Sequence, residues 1–188
     1  MISVDFSKIH REFRPMIFHY LNGMVGKDNA EDLTQVVFEK INRSLTDFRG
    51  ESSLATWIYR IATNVALDHS RCVSVRPKTI SLDTIDAKCE CYVLSDEKLQ
   101  NAEHGLMRRE MNACIHRLVK RMPEGERVVL ILSEFEGMKN REIADILAIS
   151  LEAVKIRLHR ARTRLKKDIE VECNLSRDER NELVCHPK

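Results

Sequence analysis

The sequence predicts an all-α protein: two small helical domains joined by a flexible acidic linker, with a short C-terminal tail. Three observations predict it. Apolar residues recur at helical spacing on both sides of a polar middle. Of the 188 residues, 32% are charged and 5% aromatic, with 6 Gly and 4 Pro. A sandwich or barrel would need more turn residues and more β-branched strands. Finally, Asn140–Lys167 reads as two helices around a short turn, the second of them strongly basic.

Residues 1–75 form the first domain. Phe6, Ile9, Phe13, Met16, Ile17 and Tyr20 fall at helical spacing, and Gly23 and Gly26 punctuate. A second helix starts near Asn29 and carries Leu33, Val36, Val37, Phe38, Ile41 and Leu45. After the break at Asp47–Ser53, Leu54, Trp57, Ile58, Ile61, Val65 and Leu67 mark a third, with Ser52 or Ser53 as its N-cap. Pro77 stops that helix. Residues 76–105 are the linker, and over 81–103 Asp83, Asp86, Glu90, Asp96, Glu97 and Glu103 outnumber Lys88 and Lys98. Residues 106–170 form the second domain: Leu106, Met111, Ile115 and Leu118, then Pro123 opening Glu124–Glu136, then the two helices at 140–167. The tail, 171–188, is polar.

No run of about 18 apolar residues is present, so nothing is expected to span a membrane. The charged N-terminus has no apolar signal core, which points to the cytoplasm. There the six cysteines read as thiols rather than a disulfide framework. No P-loop, nucleophile elbow or His-Glu-x-x-His motif occurs, so the chain is not expected to be an enzyme, and His69 and His116 read as structural.

The basic helix carries the functional signal. Leu151–Lys167 holds seven bases against the single acid Glu152, a local +6 in a chain of net +2. A concentrated cationic element on a slightly acidic body is the distribution a nucleic-acid binder needs. Asn140 is placed to cap Arg141–Leu147, Ala148–Ser150 makes the turn, and Ser150 caps the second helix. Val154, Leu158, Ala161 and Leu165 form one inward stripe, leaving Glu152, Lys155, Ile156, His159 and Arg160 for a major groove. Ile156 either touches a thymine methyl, shields a sugar, or is a partly exposed packing residue.

Two segments carry a resemblance. Ala30–Phe38 and Asp47–Asn64 (DFRGESSLATWIYRIATN) are similar to region 2 of sigma factors of the extracytoplasmic-function (ECF) group, and Pro123–Leu165 to their region 4. The resemblance implies a dissociable initiation subunit that brings core RNA polymerase to promoter DNA. It places Asp32, Gln35 and Phe38 on the polymerase-binding helix, with a core role for Phe38 as the alternative. It places Arg49, Ser52, Ser53, Trp57, Arg60 and Asn64 where the −10 element is melted, a task that needs a pocket for an unstacked base and cations for the displaced strand. Trp57 and Tyr59, at i and i+2, cannot share one face, and Trp57 is the one expected to turn inward. In region 4 it places Ser150, Lys155, Ile156, His159 and Arg160 at −35 contacts, with Arg157, Arg162 and Arg164 holding phosphates.

The cysteines suggest a switch. Cys72 and Cys114 read as packed thiols. Cys89 and Cys91 stand in the polar linker, where residues i and i+2 of an extended segment project to one side. With Cys173 and Cys185 they make a four-thiolate candidate for zinc or a copper ion, His186 being an alternative ligand. A subset of ECF factors is similar, with a Cys-x-Cys linker and a cysteine-containing extension that senses metal. A redox dithiol, incidental thiols and an anti-sigma protein that clamps the two domains remain open. So does a stand-alone helix-turn-helix regulator, which would bind its operator without polymerase.

Overall fold

The computed structural model describes residues 5–75, 102–177 and 183–187. Helix α1 (Phe6–Val25) opens on Asp5, whose carboxylate accepts from Ser7 N–H at 2.9 Å. Pro15 lies inside α1 on its exposed side, so the carbonyl it leaves unpaired faces water. Gly26, at φ 90°, makes the corner into α2 (Lys27–Ser44). That left-handed region favours glycine because no Cβ crowds the carbonyl. Gly23 does not break α1. It packs closely on the C-terminal half, where an added Cβ would lie 3.3 Å from Ile131 Cδ1.

A 3-10 turn (Leu45–Asp47) and a loop lead to α3 (Leu54–Val75), capped by Ser53: Thr56 N–H donates to Ser53 Oγ at 3.1 Å. Tyr20 and Tyr59 cross edge to face at 5.4 Å between α1 and α3, and Tyr20 hydroxyl pairs with Thr63 Oγ1 at 2.8 Å. Both phenols thus bury their rings without losing a hydrogen-bond partner.

The C-terminal half contains α4 (Ala102–Arg121), α5 (Glu124–Leu130), α6 (Asn140–Leu147) and α7 (Leu151–Glu172). The stretch expected as one helix, Glu124–Glu136, widens into a π turn over Ile131–Phe135, with Glu136 N–H reaching Ile131 carbonyl at 3.1 Å. The tail, expected only to be polar, carries a two-stranded antiparallel hairpin: β1 (Cys173–Arg177) pairs with β2 (Leu183–Pro187), Leu175 opposite Cys185 and Asn174 opposite His186. The two domains are helical as expected, but one buried cluster runs through both, from Ile9 and Ile17 to Val154 and Leu158. Helix α3 packs on α6, and α1 on α4 and the π turn. Among the described residues, no helix is long and apolar enough to cross a membrane.

Candidate nucleic-acid interface

The helix-turn-helix assembles from local rules. Lys139, rather than Asn140, caps α6: its N–H donates to Glu142 Oε2 at 2.8 Å, and Asn140 is the first helical residue. Ile143 and Ile146 are the buried side of α6. Ala148 then adopts φ 50°, ψ 46°, a left-handed position that ends the helix, while Ile149 N–H returns to Ala144 carbonyl at 3.1 Å. Ser150 caps α7 by accepting from Ala153 N–H at 3.1 Å. Its hydroxyl is therefore occupied by the helix end it starts.

Val154, Leu158 and Ala161 are buried, with Leu165 packed against the same core. The opposite face is open. Lys155, His159 and Arg160 are exposed, and Ile156 is 51% exposed, so its packing alternative does not hold within this chain. Lys155 Nζ pairs with Glu152 at 2.9 Å, an exposed contact of the kind worth little and readily exchanged for phosphate. Thr163, one turn beyond His159, lies exposed on the same face and donates to His159 carbonyl at 2.9 Å. Sequence reasoning missed it; its i+4 spacing from His159 was the available signal.

Three other bases of α7 lie against the same domain. Arg162 donates from Nε and Nη2 to Glu134 Oε1 at 3.1 and 2.6 Å. Arg164 Nε donates to Glu126 Oε2 at 2.9 Å, and the Arg157 guanidinium lies over Gly125. These three expected phosphate contacts thus brace α7 against α5 and the π turn.

In the first half, Arg49 and Asn64 are exposed and Ser52 is half-buried. The Ser53 hydroxyl is committed to its cap and to Thr56 Oγ1 at 2.8 Å. Of the i, i+2 pair, Tyr59 is the buried ring, with 0% exposure, and Trp57 is half-buried against Phe48 at 5.2 Å; the inward residue is the reverse of the expected one. Tyr59 wins because α3 turns it toward Tyr20 and the C-terminal half, where Glu136 takes its hydroxyl hydrogen. Arg60 is half-buried, and its Nε is enclosed without a hydrogen-bond partner among the described residues. Trp57, Arg60 and Asn64 follow one another at i, i+3 and i+7, along one side of α3.

On α2, Asp32 and Gln35 are exposed. Phe38 is 4% exposed and meets His10 edge-on at 4.7 Å, which assigns it to the core rather than to an outside partner. Val36, expected inside, is 37% exposed beside Asp32 and Gln35.

Of the proposed metal ligands, Cys89 and Cys91 lie outside the described residues. Cys185 and His186 are placed by strand register alone, near Cys173. Cys173 is buried, and its sulfur lies 3.5 Å from Cys114, a residue outside the expected set.

Comparison with known proteins agrees with both halves. Residues 9–74 match the model of Sigma-70 region 2, and residues 112–165 that of Sigma-70, region 4. The chain is 31% identical over 170 residues to the RNA polymerase sigma-H factor of Pseudomonas aeruginosa, covering 85% of this chain and 87% of that one. It is 30% identical over 146 residues to the ECF RNA polymerase sigma-E factor of Escherichia coli, covering 78% and 76%. Among solved structures, the fold is similar to the sigma factor RpoE of Bartonella quintana, solved with the anti-sigma factor NepR. That match has a TM-score of 0.68 and 18% identity, and covers 89% of this chain and 98% of that one. CnrH, solved with the cytosolic domain of CnrY, is similar at a TM-score of 0.62 and 18% identity, covering 89% and 88%. With both regions matched in order and relatives aligned along most of their length, the chain belongs to the sigma-70 family as an RNA polymerase sigma factor of the ECF group, a protein that binds core RNA polymerase and promoter DNA.

Proposed function

We propose that this sigma factor reads the −35 element with the face of α7 formed by Lys155, Ile156, His159, Arg160 and Thr163. Helix α3 then opens the −10 element with Arg60, Asn64 and the Arg49–Ser53 loop. The observation that carries this reading is the sorting of bases on α7. Arg162 and Arg164 are paired with Glu134 and Glu126 of the same domain, while the side opposite Val154, Leu158 and Ala161 stays open to solvent. A fixed helix with an open cationic face is what a major groove admits. Asp32, Gln35 and Val36 form the polymerase-facing patch of α2, and catalysis belongs to the polymerase. The protein acts in the cytoplasm, where its polymerase partner is.

Two switches are compatible with this reading. In one, Cys89, Cys91, Cys173 and Cys185 take zinc or a copper ion, with His186 as an alternative ligand; the hairpin, which pairs Cys173 with Pro187 and so brings Cys185 within two positions of it, supports it. In the other, an anti-sigma protein clamps the two domains. The continuous core between the halves supports that alternative, because a clamp would need only to hold an arrangement already present.

The test is transcription reconstituted from core polymerase and the purified chain on a promoter library, with chelator, zinc or copper. Promoter-specific transcripts that fall about 10-fold or more with Arg160→Ala are expected. Tight duplex binding without polymerase, and no transcript in any metal state, would overturn the reading in favour of a stand-alone regulator.

A further inference from the structure

The strongest arrangement left unused by promoter recognition is the meeting of α4 with the start of the C-terminal hairpin. Cys114 Sγ and Cys173 Sγ stand 3.5 Å apart, although 59 residues separate them in sequence. Both are thiols, Cys173 buried at 4% exposure and Cys114 half-buried. The same junction is clasped by charge. Arg117 and Arg121 of α4 both reach the Glu172 carboxylate, Arg117 at 3.7 Å, and Arg117 Nη2 also lies 3.5 Å from Cys114 Sγ. The sulfurs are therefore held together by contacts that do not depend on them.

We propose that Cys114 and Cys173 are a reversible disulfide site, oxidised by a low-molecular-weight disulfide. The half-buried Cys114 is the sulfur that meets the oxidant. Its thiolate attacks one sulfur of the oxidant, forming a mixed disulfide and releasing one thiolate. Cys173 gives up its proton and attacks the Cys114 sulfur, releasing the second. The pair loses two electrons and two protons, and the oxidant leaves as two thiols. Closing from 3.5 Å to the roughly 2.05 Å of a disulfide brings the sulfurs about 1.5 Å nearer.

The bond closes a covalent ring around α5, α6 and α7 and prevents α4 from leaving α7. Because α4 also packs on α1, the oxidised form fixes the platform on which the two halves meet. This inference does not rest on how the chain reads DNA.

The full chain, reduced and then exposed to oxidised glutathione, is alkylated with iodoacetamide and mapped by mass spectrometry, with a thermal melt alongside. The expected product links the peptides bearing Cys114 and Cys173 and raises the melting temperature by roughly 5 °C or more. Dithiothreitol reverses both changes, Cys114→Ser abolishes both, and Cys72→Ser, at an exposed position, leaves both intact. A lasting glutathione adduct on Cys114, an alkylated Cys114 in oxidised protein, or a Cys173–Cys185 link would overturn the proposal. The mapping uses the natural chain, so it decides the matter even where a variant folds poorly.

Discussion

Tyr59, on α3, donates its hydroxyl hydrogen to Glu136 Oε2 at the end of the π turn, so a residue beside the melting segment is bonded to the domain that reads the −35 element. Burial, with the Glu136 carboxylate beside it, holds the phenol far above its ordinary pKa and keeps it a donor. Tyr59→Phe should remove the tie while leaving the ring in place. The expected cost is about 1–3 kcal/mol, because Glu136 stays enclosed with one partner fewer. A urea melt measures it; an unchanged midpoint would mean that the contact carries no load.

His19 reaches the other oxygen of Glu136 at 3.4 Å, and that hydrogen bond raises its pKa despite burial. A folded pKa above the unfolded one gives stability that is fully present below the unfolded value of 6.5 and is lost as pH rises through the folded value. The stability gap between the natural chain and His19→Gln should therefore narrow as pH rises above 6.5. His116, whose pKa burial lowers, pulls the opposite way, so the comparison belongs in a His116→Gln background. A gap that does not change with pH would refute the assignment.

Ala148 holds a left-handed conformation that costs a residue with a Cβ roughly 1–2 kcal/mol. Ala148→Gly relieves that cost and adds some freedom to the unfolded chain. A net gain of roughly 0.5 kcal/mol is expected, seen as a small rise in melting temperature with promoter use unchanged. A fall would show that the turn depends on the methyl group.

The bases of α7 should separate in function. Arg160→Ala is expected to cut transcription from a −35-dependent promoter by about 10-fold or more, the loss of one base-edge or phosphate contact. Arg162→Ala, which removes a partner of Glu134, should change it by no more than about 2-fold and show instead as a small loss of stability. Equal losses in the two variants would mean that Arg162 leaves Glu134 for DNA.

On α2, Asp32→Ala should weaken core-polymerase binding without altering the melt, since the residue is exposed. Phe38→Ala should do the reverse, costing about 3–5 kcal/mol of stability through the cavity it leaves. A competition assay against a labelled sigma factor separates the two. Intact stability in the Phe38 variant would return that ring to the polymerase surface.

What was legible in the sequence follows from the range of each interaction. Helical periodicity and caps are local, so the helices, the cap at Ser150 and the inward stripe of Val154, Leu158 and Ala161 could be read directly. Periodicity says that Trp57 and Tyr59 face different ways, but not which faces the core. That depends on Tyr20 and Glu136, 39 and 77 residues from Tyr59. Val36 was misplaced, and the two roles of Phe38 were left undecided, for the same reason, since α1 decides which side of α2 is covered. The acids that hold Arg162 and Arg164 lie 28 and 38 residues away, and Cys114 lies 59 residues from Cys173.

The π turn at Ile131–Phe135 has a consequence for how the sequence can vary. A π turn carries about one residue more than an α turn, and each residue advances a helix by about 100°. Deleting any one residue there would tighten the turn and swing Glu136 about a quarter-turn away from Tyr59 and His19, even with every remaining side chain unaltered. The meeting of the two halves is thus encoded as a length, and a single-codon deletion would uncouple them where most substitutions would not.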